Sequence, residues 1–519
     1  MATISEKLQP HVAAVYRAFP QAQQHIEDFT AIGSQVTWAK LLPAPNRHDY
    51  GIVIIRFPPV LESSFNFQNE VAVVFLPFRD LQSRAYSGLK ALLHSIEADR
   101  SIDKSLCFVA ASDPQLREKT LSWNSLSFTA IPLESQTSRD PNGETDRLSR
   151  AITTFLTRRD FYTHSSSVSG EMFFGRRHSL MELSSRVMGA ESFGVFGLRK
   201  MGKTSLVEEL FGILQSGESN SVLTIKIDLQ GLPAEPKDAA RALSEEIRQK
   251  IRTRLDEGRR RTVELADLQS HPNPAELKTA LSRLLQKIRD ESLRLVLVLD
   301  EIEHLVPPKN HPDLDPVAEL MGALRGVQQE TGRFVLAFCG VTPYISLLPQ
   351  FGRRANPFMA WISPHYLGPF TLDESKDLIV GLGRRMAVQW DDDAMALAAK
   401  TSGGHAFLLR QLCGRVVREL PGSLEERRVA LHQVSEAVER WPLEEGGHAR
   451  SILQDFRQNY PDEGAAIDLL GETGVDSVSV DDIGLDSARS LLGLGLLSLE
   501  GSQVKATDLY RVLSSNDSR

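Results

Sequence analysis

Hydrophobic positions in the first third of this chain fall into short β-branched or aromatic runs, separated by stretches of helical spacing. GIVIIRF (51–57), VAVVFLPF (71–78), SLCFVAA (105–111) and SLSFTAIPL (125–133) read as strands bounded by turn residues. Between them LQSRAYSGLKALLHSIEA has the spacing of an amphipathic helix, and the alternation predicts a small α/β domain over residues 1–165. Residues 134–146 are polar and turn-rich and read as a loop, after which AITTFLTRRDFY returns to helical periodicity. THSSSVSGE (163–171) offers nothing to bury and reads as a linker between domains.

A second strand-and-helix alternation follows over residues 170–366. SFGVFG (192–197), SVLTIKIDL (221–229), LRLVLVLD (293–300) and RFVLAFCG (333–340) are almost continuously apolar. Strands of that kind predict a parallel sheet covered on both faces. Past Leu367 the strand pattern gives way to helical periodicity. TLDESKDLIVGLGRRM opens on a Thr371/Glu374 capping box, DDDAMALAAKT stops at Gly403 and Gly404, and HAFLLRQLCGRVVREL makes a third helix. These form a helical lid over 367–440. Residues 441–519 read as three helices and a hairpin, LLSLEGSQVKAT, turning at Glu500 and Gly501, which predicts a winged helix.

The chemistry sits in the second segment. VFGLRKMGKTS carries G-x-x-x-x-G-K-T from Gly197 through Gly202 and Lys203 to Thr204, placed between an apolar strand and a helix. A polyphosphate needs a loop that curls its backbone N–H groups inward, and glycines permit the turn. Lys203 is positioned for the β- and γ-phosphates and the Thr204 hydroxyl for Mg²⁺. The helix that begins with Thr204 and Ser205 offers its positive end to the same anion. The strand ending in Asp300 and Glu301 is the matching acidic motif: Asp300 to hold Mg²⁺, Glu301 to orient or deprotonate the attacking water. Thr342, just after the strand 333–340, takes the position of a residue that senses the γ-phosphate.

These residues resemble the AAA+-like ATPases of the origin-recognition-like and STAND group. FFGRRHSLMEL looks like the box preceding Walker A. The resemblance puts Phe174, Gly175 and Arg176 beside the adenine, and Arg199 in the family's G-x-R-x-x-G-K-T-S-L loop. LGPFTLDES and SGGHAFLLRQL are similar to the entry and third helix of its lid. Ala406 stands where many STAND proteins have a nucleotide-contacting proline. Phe407 replaces the sensor arginine of the origin-recognition lid, with Arg410 a turn later. Arg353 and Arg354 are candidates for fingers acting on a neighbouring subunit, against the plainer reading of a solvated pair. His304 and His405 lack metal-ligand spacing and read as packing or capping groups.

Composition narrows the role. With 519 residues the chain has room for several domains; 41% hydrophobic and 24% charged residues make an ordinary globular chain. The 3 cysteines, Cys107, Cys339 and Cys413, lie in apolar stretches without CxxC spacing, so neither a disulfide framework nor a zinc site is expected. Glu6 and the lack of an apolar leader argue against a signal peptide, and a cytoplasmic protein is expected. Formal net charge is −8, and residues 440–519 hold 7 Lys/Arg against 14 Asp/Glu. Such a module suits packing on protein better than phosphate contact. The basic stretch 239–261, ending in Arg259, Arg260 and Arg261, is the better candidate for nucleic acid, with a solvated helix face as the ordinary alternative.

The expected fold is therefore α/β: a parallel-sheet P-loop ATPase core with helical lid, C-terminal winged helix and separate N-terminal α/β domain. The expected function is an ATP-binding, slowly hydrolysing, Mg²⁺-dependent switch of conformation or assembly. Its expected partners are a second copy or another protein, met through the N-terminal or winged-helix domain, with no membrane. A DNA-associated AAA+ ATPase of replication initiation or transposition, and an ATP-binding scaffold without turnover, stay open.

Overall fold

The computed structural model describes residues 5, 7–43, 49–59, 62, 70–96, 102–123, 128–133, 148, 151–152, 154–155, 160–163, 167–216, 222–257, 273–288, 292–307, 313–351, 353–358, 361–420, 427–444, 446–472 and 477–514. They group into two compact units, one of Met1–His164, Ile379–Met395 and Cys413–Ser435, the other of Ser165–Leu378, Ala396–Leu412 and Glu436–Arg519. The division runs through the segment expected to be a lid, of which residues 379–395 and 413–435 group with the N-terminal sheet.

The first unit is built on a five-stranded sheet: β1 (Gln35–Pro43), β2 (Asp49–Arg56), β3 (Glu70–Leu76), β4 (Ile102–Ala111) and β5 (Thr129–Leu133), paired in that order. The first three run antiparallel and the last three parallel. Helices Gln9–Ala18 and Gln21–Ala31 bury Val15, Ile26 and Phe29 on one face with Phe75 and Phe108, while helix Ser83–Ser95 covers Val74 and Val109 on the other. Strand β1 does not stand out in the sequence, because a register shift between Val36 and Trp38 breaks its alternation. The expected loop at 134–146 lies outside the described residues. Asp160 accepts the N–H groups of Tyr162 and Thr163, and the Tyr162 hydroxyl donates to the Ile379 carbonyl at 2.5 Å. This contact ties the end of the N-terminal segment to the outer part of the lid, within one unit.

The second unit has the expected parallel sheet. Its strands are β6 (Phe193–Phe196), β7 (Val222–Asp228), β8 (Arg294–Asp300) and β9 (Phe334–Gly340), then a hairpin of β10 (Gln350–Phe351) and β11 (Arg354–Ala355), then β12 (Ser363–Tyr366). The main sheet runs β12-β6-β9-β8-β7 with every pair parallel. Edge strand β12 has the sequence SPHY, too short and too polar to announce itself. Helices Pro236–Glu257, Pro274–Lys287 and Asp315–Thr331 bury Leu243, Leu281 and Leu324 against Leu297 and Leu336. Two consequences matter for chemistry. The P-loop strand β6 and the acidic strand β8 are not neighbours; β9, ending before Thr342, lies between them. And the ends of all three open on the same edge of the sheet, where parallel sheets carry their ligands.

The segment expected to be a lid is helical, as Leu372–Arg384, Asp392–Thr401 and Ala406–Arg418. The predicted capping box is present: Glu374 N–H donates to Thr371 Oγ1 at 3.2 Å and Thr371 N–H to Glu374 Oε2 at 3.0 Å. The C-terminal module comprises helices Gly446–Asn459, Pro461–Glu472, Val480–Ile483, Leu485–Gly493 and Asp508–Ser514 with a three-stranded antiparallel sheet. Leu497–Glu500 and Gln503–Ala506 form its hairpin. Among the described residues no helix is long and apolar enough to cross a membrane. The three cysteines are buried and in no disulfide.

Candidate nucleotide-binding site

The P-loop begins where β6 ends and closes into the helix Lys203–Ser216. Its two glycines serve different ends. A Cβ on Gly197 would lie 2.7 Å from the Leu367 carbonyl oxygen, so this glycine lets β12 and the loop pack together. Gly202 has φ +102 with open space around its α-carbon, so there the backbone conformation itself requires glycine. Lys203 is half-buried, its ammonium donating to the carbonyls of Gly197 at 2.8 Å and Leu198 at 3.0 Å. Burial lowers its pKa, and the acids around it, Glu303 foremost among them, push the other way. Ser205 faces away from the loop mouth: its Oγ accepts the Val168 N–H at 3.1 Å, and Glu209 takes the Gly170 N–H at 2.5 Å. The stretch expected to be a free linker is thus fastened to the P-loop helix at residues 168–170.

Thr204 Oγ1 donates to Asp300 Oδ2 at 3.0 Å, joining the two motifs. Asp300 is buried, and its other oxygen accepts the Glu301 N–H at 3.1 Å. A hydroxyl and a carboxylate this close form a hard oxygen pair suited to Mg²⁺, which takes few protein ligands and keeps several waters. Glu301 adopts a left-handed φ of 56, which turns the chain sharply after β8. Its carboxylate is 43% exposed and lies 3.1 Å from His304 Nε2. Glu303, two residues on, points inward instead. Its Oε1 accepts the Val341 N–H and the Tyr460 hydroxyl, the latter at 3.1 Å. Thr342 is fully buried beside that same phenol.

A half-buried lysine in a glycine-turned loop, a helix N-terminus and a hydroxyl–carboxylate pair make a seat for a polyphosphate and its cation. Residues 187–347 match the family described as AAA domain. The chain carries a P-loop ATPase domain of the AAA type. The AAA domain binds a nucleotide, and the loop and acid turn lie within the matched residues. Among solved structures the fold is similar to a Walker-type ATPase of Pyrococcus abyssi, at 15% identity and TM-score 0.46 over 68% of this chain and 99% of that one. It is also similar to Drosophila ORC bound to DNA (14%, TM-score 0.37, 73% and 95%). A third is the Thermotoga maritima RuvB Holliday junction branch migration motor (18%, TM-score 0.33, 67% and 97%). No curated protein sequence matches the chain.

The remaining candidate residues fall around the AAA domain in three places. Arg176, with φ 60, is buried at the lid joint: it donates to the Gly368 carbonyl at 2.6 Å and lies 4.3 Å over the Phe370 ring. Its backbone N–H donates to Glu374 at 2.7 Å, and burial lowers its pKa to about 10. Gly175 packs against Phe370 and Glu374, and Phe174 beside it is half-buried. The box expected at the adenine thus spends its arginine on the lid linker. At the loop tip, Arg199 reaches Asp455 at 3.4 Å, and its carbonyl accepts from His405 Nε2 at 3.1 Å. Lys200 Nζ lies 3.9 Å over the Phe407 ring. His405 is fully buried and bridges loop and lid helix, the packing role read from its spacing. Arg410 is buried farther along that helix. Arg353 and Arg354 are exposed on the β10–β11 hairpin, held by Asp315 and Glu319.

Sequence reasoning missed three residues at the site. Glu303 was visible as a third acid in DEIE, yet its inward direction follows from the left-handed turn at Glu301. Lys226, on β7, stands out as a single cation in an apolar strand; its ammonium lies 3.3 Å from Asp300 and 3.4 Å from Glu208. Tyr460 gives no sequence signal at all, because it reaches Glu303 from 157 positions away.

Proposed function

We propose that this protein binds ATP at the P-loop, hydrolyses it slowly and uses the nucleotide to switch its own conformation or assembly, in the manner of STAND ATPases. The carrying observation is the Tyr460–Glu303 hydrogen bond, which places the C-terminal module on the acid turn of the ATPase site. His405 and Asp455 add contacts from the lid and the same module to the P-loop tip. A change at the loop or the turn therefore has partners to push against.

In this reading Lys203 leaves its own loop carbonyls for phosphate oxygens, and the N–H groups around Gly202 hold the same charge. Thr204 and Asp300 hold Mg²⁺, which neutralises phosphate charge when bound. Glu301, half exposed, orients water, and Thr342 reads the end of the phosphate chain. The winged-helix-like module serves as a clamp rather than a DNA reader. Four of its described cations, Arg457, Arg489, Lys505 and Arg511, each lie within salt-bridge distance of an acid of the same module. Cations so engaged are poor phosphate binders. The basic stretch around Arg259 lies outside the described residues.

The test is hydrogen exchange over residues 446–472, with light scattering, for the wild-type chain and Lys203→Ala in ATP, in ADP and without nucleotide. Faster exchange or a new particle size in one nucleotide state, absent in Lys203→Ala, is expected. Identical exchange and size in every state would sink the switch. Salt-sensitive binding to duplex DNA would favour the DNA-associated reading instead.

A further inference from the structure

Lys226 sits at an unusual address. It lies on β7 in register with Val298 of β8, two positions before the Asp228–Asp300 pair, and the even-numbered side chains of both strands share a face. Its four-carbon stem carries the ammonium forward to Asp300 Oδ2, the same oxygen that accepts the Thr204 hydroxyl. Its other neighbour is Glu208, one helical turn beyond Thr204 on the P-loop helix. A fixed cation therefore already occupies one partner of the oxygen pair suited to Mg²⁺. It stands between two carboxylates at nearly equal distances, 3.3 Å and 3.4 Å. Lys250 donates to the Lys226 carbonyl at 2.7 Å, fixing the strand from which this side chain springs.

We infer that Lys226 is a positioning residue that sets the divalent-cation affinity of the nucleotide site, standing on Asp300 when no metal is held and retreating to Glu208 when one is. The inference rests on the ATP-binding reading above. A divalent ion taking Asp300 Oδ2 meets an ammonium within a few ångströms in a partly buried setting. Mutual repulsion there weakens metal binding by about tenfold. Glu208 limits that effect by giving the ammonium a second partner.

The experiment is a Mn²⁺ titration of the full chain in the presence of ADP, with free Mn²⁺ followed by its paramagnetic resonance signal. Binding of a fluorescent ADP analogue without metal serves as the control for the nucleotide site. Lys226→Met is expected to bind Mn²⁺ about tenfold more tightly than wild type, and Glu208→Gln several-fold more weakly, because the ammonium then has Asp300 alone. Asp300→Asn is expected to lose the site, alone and combined with Lys226→Met. Wild-type Mn²⁺ affinity in Lys226→Met, or weaker binding with an unchanged melting temperature, overturns the inference and leaves Lys226 a structural strut. If Lys226→Met does not fold, Glu208→Gln decides alone: unchanged Mn²⁺ affinity overturns the proposal. Wild type that binds no ADP analogue removes the nucleotide reading, and this inference with it. Wild type that binds the analogue while neither variant shifts Mn²⁺ removes this inference only.

Discussion

Burial pushes the His405 imidazole down to about 4, and Lys203, Arg176 and Lys200 add their positive charge to the same effect. The ring is therefore neutral at neutral pH, donating through Nε2 to the Arg199 carbonyl and facing the Leu408 N–H with Nδ1. An unfolded histidine titrates near 6.5. Above that pH the stabilisation is complete. As pH falls from about 6.5 toward 4 the unfolded chain gains a proton that the folded chain does not take up, and stability is lost. The full loss is about 3 kcal/mol. Melting temperature is expected to drop between pH 7.5 and 5, with a shallower slope in His405→Gln, which keeps a donor and cannot titrate; calorimetry across that range checks it. The packing role of His405 was legible from its spacing. Those of Glu303 and Lys226 were not, because each takes its meaning from a residue on another strand or module.

At the scale of elements, the lid joint shows what hydrophobic pattern conveys and what it leaves out. Strands β6, β8 and β9 were readable because buried parallel strands are nearly continuously apolar, and edge strand β7 because its apolar residues outnumber Thr224, Lys226 and Asp228; β1 and β12 were not, one broken by a register shift, the other four residues long. The capping box at Thr371 was also readable, since its residues are local. What the sequence does not display is that Glu374 spends its other oxygen on Arg176, from the far side of the sheet's sequence. Arg176→Ala keeps the backbone N–H bond to Glu374 but leaves the Gly368 carbonyl without its charged donor and the Phe370 ring without its cation. Loss of a hydrogen bond from a charged group costs about 1.5–3 kcal/mol. Urea denaturation should show that loss. Arg176→Lys should recover less than half of it, because a single ammonium cannot both bond the Gly368 carbonyl and lie flat on Phe370.

Across the whole molecule the open question is whether the C-terminal module holds the nucleotide site shut, and two contacts differ enough in strength to answer it. Tyr460 is buried, and burial and neighbouring Glu303 push its phenol far up, so it stays a donor to that carboxylate. Its ring packs on Tyr344 and Phe456, with centroids 5.8 Å and 5.3 Å away. Tyr460→Phe keeps that packing and deletes the bond alone. A hydrogen bond to a charged group is worth about 1.5–3 kcal/mol. If the module must lift for nucleotide to leave, ADP should dissociate about tenfold faster from this variant, by stopped-flow fluorescence. The Arg199–Asp455 pair is a useful contrast, since both partners keep a third or more of their surface. Exposed pairs contribute less than about 1 kcal/mol. Asp455→Ala should therefore change release by a few-fold at most. Equal effects in the two variants would mean that the module contributes bulk charge rather than a latch. No effect in either would place the barrier to release in the lid, where His405 and Phe407 meet the loop.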